Sequence, residues 1–214
     1  MKTSFLALFL LISFGANAAL QDSTKGCCSS CVIDGKVSPE SHKYKAFLKA
    51  LELIKERKLE VLVETGTSRV DKKKGIVKRC SSLVIADWVR RHGGKLDSLD
   101  IKDGVIYRAT NEVGDHIQFV KLDNEHSIEF LKQFDQQIDF LYLDSEEISG
   151  VTSEHHLKEI TAAYPWLTQR SVVMVDNGES PQGGKGKEAV GFLLDRGWRI
   201  LSKEQQVMLS QEIN

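Results

Sequence analysis

Excess charge of either sign is nearly absent from this 214-residue chain, in which 29 Lys and Arg stand against 30 Asp and Glu. Without a basic surplus it lacks the electrostatic footprint of a protein whose main partner is nucleic acid or an anionic membrane. It also lacks a second long apolar run. The first, Phe5 to Phe14, is ten residues long, too short to span a bilayer as a helix, and nothing after it reaches spanning length. Internal repeats and long low-complexity tracts are missing too. Cysteine is confined to four positions, with Cys27, Cys28 and Cys31 clustered and Cys80 apart. A zinc knuckle would need more ligands at suitable spacing, and no histidine lies near the cluster; Ser23-Thr24-Lys25-Gly26 lacks the apolar residue of a lipid-attachment site.

What is present begins with a targeting signal. Lys2, the apolar core and Ala16-Asn17-Ala18 read as a signal peptide over residues 1–18, cleaved before Ala19. The remaining 19–214 are enough for one domain with a real core, exported to the periplasm or secreted. In that oxidising setting disulfides are open to the cysteines; a bond from Cys27 or Cys28 to Cys31 fits better than one between adjacent cysteines, and Cys80 reads as a buried small side chain. Residues 19–38, rich in Gly and Ser, read as a mobile cysteine-containing leader, and 39–214 as the folded domain.

Along that domain, apolar runs alternate with amphipathic helical patterns. Pro39 and Glu40 open a helix carrying Tyr44, Phe47, Leu48, Leu51 and Ile54 on one face. Strands are expected at 60–64, 96–100, 116–122, 138–143 and 171–175. Helices are expected at 76–92, 127–134, 153–164 and 188–195, with Gly93-Gly94 ending the first of these. Residues 198–201 and 206–209 form a closing pair with no helix between them, so one of them runs antiparallel. This alternation predicts an α/β fold: a Rossmann-like three-layer sandwich with a seven-stranded, mostly parallel sheet and a terminal antiparallel strand. Ligands bind such sheets beyond the carboxyl ends of the strands, and Glu64, Asp100, Asp123, Asp144 and Asp176 all fall at that edge. Carboxylates clustered there suit a ligand with hydroxyls and positive charge, or a divalent metal; the alternative for any one of them is a helix cap.

The sequence Glu64-Thr65-Gly66-Thr67, with Asp100, Asp144, Asp176, Gly183-Gly184-Lys185-Gly186 and Gly197-Trp198, resembles the class I S-adenosylmethionine-dependent methyltransferases over about residues 40–210. It is most similar to the small-molecule branch whose first motif reads Glu-x-Gly-Thr. The resemblance implies that Glu64, Gly66 and Thr67 hold the methionine part of S-adenosylmethionine, that Asp100 binds the ribose, that Asp123 and Asn124 flank the adenine, and that Asp144 lies beside sulfonium and substrate. The basic stretch Arg69 to Lys74 departs from the family's pattern; it folds over the cofactor as a lid, blocks it, or is a solvated loop.

Asp144, Asp176 and Asn177 match a second pattern, that of metal-dependent catechol-type and caffeoyl-coenzyme-A-type O-methyltransferases. There they would ligate magnesium or calcium, which lowers the pKa of a substrate hydroxyl; a turn after the strand is the alternative. The lysine base of the catechol type is replaced by Glu147, a carboxylate able to accept a proton. His155 and His156 read as solvated, with a base or ligand as the alternative, and Lys185 and Lys187 either close over an anionic substrate or sit on a flexible joint. The implied activity is O-methylation of a small or glycan-like hydroxylated substrate. An exported binding protein that kept the fold without catalysis is the alternative.

Overall fold

The computed structural model describes residues 28–67, 81–145, 152–177 and 184–212. Residues 1–18, expected to be a signal peptide, Cys27, the basic stretch 69–74, Cys80, Glu147 and Gly183 lie outside the described residues.

Seven strands form one sheet in the order β3-β2-β1-β4-β5-β7-β6. They are β1 (Val61–Thr65), β2 (Lys95–Leu99), β3 (Val120–Asp123), β4 (Ile138–Leu143), β5 (Leu167–Asp176), β6 (Arg199–Lys203) and β7 (Gln206–Ser210). Among them β7 alone runs opposite to the other six, inserted between β5 and β6 and antiparallel to both. Strand order reverses between β1 and β4, where the crevice of such a sheet opens.

Alternation along the strands divides the core in two. Leu62, Phe140 and Met174 project to a face covered by α1 (Ser29–Ile33), α2 (His42–Arg57) and α3 (Ser81–His92), with Phe47, Leu51 and Trp88 buried there. Val63, Leu141 and Val173 project to the opposite face, against α5 (Ser127–Gln133), α6 (Thr152–Ala163) and α7 (Lys187–Leu194). Because both faces are covered, the strands are apolar nearly throughout.

Four expectations are revised. The leader is anchored where it is described: α1 buries Val32 and Ile33 completely in the core, so residues 28–38 are part of the domain and not a loose tether. The first long helix begins at His42, because the Ser41 hydroxyl caps it by accepting the Lys43 amide. A helix, α4 (Asp103–Val113), occupies a stretch given no element; its buried stripe is only Val105, Ala109 and Val113. Residues 114–119 then form a 3-10 turn, so β3 starts at Val120 and not at 116.

Candidate functional site

Register fixes the heights of the acids. Thr65 lies beside Leu99 and Leu143, Leu99 beside Asp123, and Leu143 beside Val175. Asp123 is therefore level with the strand ends, and Asp100, Asp144 and Asp176 stand one residue beyond. Four of the five acids share one rim.

Glu64 sits one step inside it and is fully buried. Its in-plane neighbours are Ser98 and Tyr142; the Ser98 hydroxyl donates to its Oε2 at 2.6 Å and the Ser82 hydroxyl, from α3, donates to the same atom. Burial pushes the Glu64 carboxyl up to about 7, against the hydrogen bonds of Ser81, Ser82 and Ser98, with the Asp144 charge adding to the rise. Glu64 thus ties β1 to β2 and α3 from below the crevice.

The first loop folds tightly onto β4. Gly66 has φ of +84°, and a Cβ there would lie 2.4 Å from the Asp144 carbonyl oxygen. Only glycine allows this conformation and this approach. The Gly66 and Thr67 amides both donate to the Leu99 carbonyl, at 2.8 and 3.1 Å, and the Thr67 hydroxyl lies 3.0 Å from that of Ser98. Asp100 is nearly buried, and its Oδ1 accepts the Lys102 amide at 3.0 Å. Asp123 pairs with Lys121 at 2.8 Å, while the exposed Asn124 donates to Asp103 at the start of α4.

The other half of the rim holds a four-charge cluster. Lys185 Nζ lies 3.0 Å from Asp144 Oδ1, 3.3 Å from Asp176 Oδ2 and 3.1 Å from the Ser145 carbonyl oxygen. Lys43, on the first turn of α2, lies 3.6 Å from Asp144 Oδ2 and 3.6 Å from Asp176 Oδ1. The buried Tyr142 hydroxyl donates to Asp144 Oδ2 at 3.2 Å, and Gln206 of β7 donates to Asp176 Oδ1 at 2.7 Å. Burial and then the Asp176 charge push Asp144 up to about 6. Asp176 is buried as well, but its hydrogen bond to Asp144 and the charges of Lys43 and Lys185 bring it down to about 2.

This is where a divalent ion was expected, and the side chains do not fit one. Two ammonium groups already neutralise the two carboxylates. The Asn177 side-chain oxygen accepts from Gln205 at 3.0 Å, and its side-chain NH2 donates to Asp176 at 2.9 Å. Among the described residues, no three His, Cys, Asp or Glu side chains are grouped so as to hold a metal.

A second polar cluster was missed. His156 is buried, not solvated, and burial lowers its pKa. Glu159, wholly buried on the next turn of α6, accepts from Ser127 at 2.5 Å and from Ser145 at 3.0 Å, with His155 Nε2 at 3.2 Å. A helical i, i+3, i+4 spacing of His155, His156 and Glu159 was the available signal. Lys43 was missed as well.

The cysteines form no Cys28–Cys31 disulfide; the exposed Cys28 sulfur lies 3.1 Å from the Ser30 hydroxyl. Hydrogen bonds to Cys31 and then Ser30 lower the Cys28 thiol to about 7.

Against this geometry, a family profile described as a methyltransferase domain matches residues 75–178. The chain is similar to methyltransferase domains over that stretch. Solved structures share its fold. An O-methyltransferase from Bacillus cereus in complex with SAH is 14% identical with a TM-score of 0.55, the match covering 90% of this chain and 92% of that one. The SAH-bound methyltransferase PaMTH1 of Podospora anserina is 14% identical at a TM-score of 0.58, covering 84% and 81%. A caffeoyl-CoA O-methyltransferase-like protein of Staphylococcus aureus is 14% identical at 0.54, covering 76% and 80%. At such identity the likeness carries the methyltransferase fold and not the substrate. No curated protein matches the sequence significantly. Among the described residues, no helix is long and apolar enough to cross a membrane.

Proposed function

We propose that the chain is an exported S-adenosylmethionine-dependent methyltransferase that methylates oxygen on a small or glycan-like hydroxylated acceptor. One observation carries the reading: Asp123 at the end of β3, and Asp100 and Asp144 one residue beyond the ends of β2 and β4, line one rim, with Gly66, just after β1, pressed against Asp144. The donor would lie across these ends, its ribose hydroxyls on Asp100 and its adenine between Asp123 and Asn124. Gly66 and Thr67 would meet the methionine part; Glu64, being buried beneath them, would support that loop from below. Asp144 would face the sulfonium.

When bound, the donor supplies an electrophilic methyl carbon on a positively charged sulfur. The acidic rim favours that cation over the neutral product left after transfer. An acceptor oxygen would attack that carbon as the carbon–sulfur electron pair returned to sulfur, the hydroxyl proton passing to water.

A second reading, an exported binding protein on the same fold, is favoured by one feature. Both first-loop amides are already engaged by Leu99, so these donors are not open to a ligand carboxylate as the loop stands. The two readings separate on Asp100→Ala. An enzyme of this kind loses affinity for SAH, by about tenfold if one charged hydrogen bond is removed. Unchanged affinity in a folded variant removes Asp100 from the ribose role.

A further inference from the structure

We propose that Lys43 does in this site what a divalent ion does in metal-dependent relatives: its ammonium is the cation that receives the acceptor oxygen, and Lys185 is the tether that holds the carboxylates in place. The inference rests on the methyltransferase reading above for the identity of the acceptor, and on geometry alone for the exclusion of metal.

The two lysines are not equivalent. Lys185 donates to Asp144 Oδ1 at 3.0 Å and to the Ser145 carbonyl oxygen at 3.1 Å and is ion-paired with Asp176 Oδ2 at 3.3 Å, so two of its three protons are committed and its charge is held between both carboxylates. It ties the residues leading into α7 to the ends of β4 and β5. Lys43 stands 3.6 Å from each carboxylate, beyond hydrogen-bond range, and is the more exposed of the pair at 18% against 12%. Its charge is balanced, but its protons are not consumed by Asp144 or Asp176.

Its placement also needs an explanation. A cation on the first turn of a helix opposes the helix dipole, and Lys43 is the second residue of α2. Asp144 and Asp176 supply the opposing charge that makes the position tolerable. The same two acids that would ligate an ion therefore hold an ammonium at the same place, on the rim and open to the crevice.

A monovalent ammonium lowers the pKa of a hydroxyl less than a dication does. The acceptor that fits is one whose oxygen ionises readily, a phenol-type or similarly acidic hydroxyl. It releases its proton to water, pairs as an oxyanion with Lys43, and attacks the methyl carbon as the carbon–sulfur pair returns to sulfur.

The test uses the mature chain after chelation of metals. Terbium, calcium and magnesium are titrated against wild type and Lys43→Met/Lys185→Met, following Tyr142-sensitised terbium emission and melting temperature. Wild type should show neither saturable emission nor a shift, and the double variant should gain both. Saturable binding by wild type that is lost in Asp176→Ala, or a folded double variant that stays indifferent, overturns the proposal. If the double variant does not fold, Lys43→Met alone is titrated and read the same way. In parallel, 4-nitrophenol is titrated in the presence of SAH and its ionisation followed by absorbance. Wild type should lower the probe's apparent pKa and Lys43→Met should not; no shift, or an equal shift in both, overturns the acceptor role. SAH affinity on the same samples reports separately on the methyltransferase reading.

Discussion

A methyl group on Gly66 would lie 2.4 Å from the carbonyl oxygen of Asp144, so the loop after β1 and the end of β4 are in backbone contact. The crevice floor is set by that contact. Neither segment can move outward independently, which fixes Asp144 relative to the first loop.

Gly66→Ala should therefore destabilise the fold. A non-glycine residue in a left-handed conformation costs about 1–3 kcal/mol before any clash is counted, and the clash is with backbone, which cannot swing away. Urea unfolding should show a loss at or above that range. A variant as stable as wild type would mean that the loop is held loosely.

Glu64 should make stability fall as pH rises across the mildly acidic range. Its carboxyl is raised in the folded chain from an ordinary 4.5 to about 7. Below about 4.5 both states hold the proton. Between there and about 7 the unfolded chain releases it first, so the contribution present at low pH is lost as pH rises through the folded value. Glu64→Gln should flatten melting temperature against pH in that window. An unchanged slope would assign the dependence to another group.

Removing Lys185 leaves Asp144 and Asp176 buried with Lys43 alone. Breaking a buried ion pair from one side costs about 3–5 kcal/mol, so Lys185→Met should show a loss of that order in chemical denaturation. Adding Asp176→Asn to it should recover part of the loss, because the excess negative charge goes with it. Additive losses would show that the pair is not coupled.

Cys28 should react with iodoacetamide at neutral pH faster than an ordinary exposed thiol, its rate rising with an apparent pKa of about 7. Cys31→Ser should move that value upward, since Cys31 is the largest cause of the lowering. A rate profile centred near the ordinary thiol value in both proteins would contradict the geometry of α1.

The sheet was legible because strands buried on both faces are written as apolar runs, and because Asp100, Asp144 and Asp176 each follow such a run directly. Register then needs only those runs. The contents of the site were less legible for three physical reasons. Lys43 belongs to a helix that precedes the first strand, and only the packing of α2 across the sheet brings its first turn to the rim. The burial of Val32 and Ile33 was masked by the Gly- and Ser-rich composition around them. The three-residue stripe of α4 was too narrow to stand out from a loop. Asp176-Asn177 was read as a ligand pair from a short motif, but a motif does not contain the side chains that compete for it; Lys185 and Gln205 come from later in the chain.

The most direct test of the central claim is isothermal calorimetry of the protein with S-adenosylmethionine and with SAH. A donor crevice on the β1–β4 rim predicts saturable binding of both with one molecule per chain, weakened in Asp100→Ala. A correctly folded protein that takes up neither molecule contradicts it.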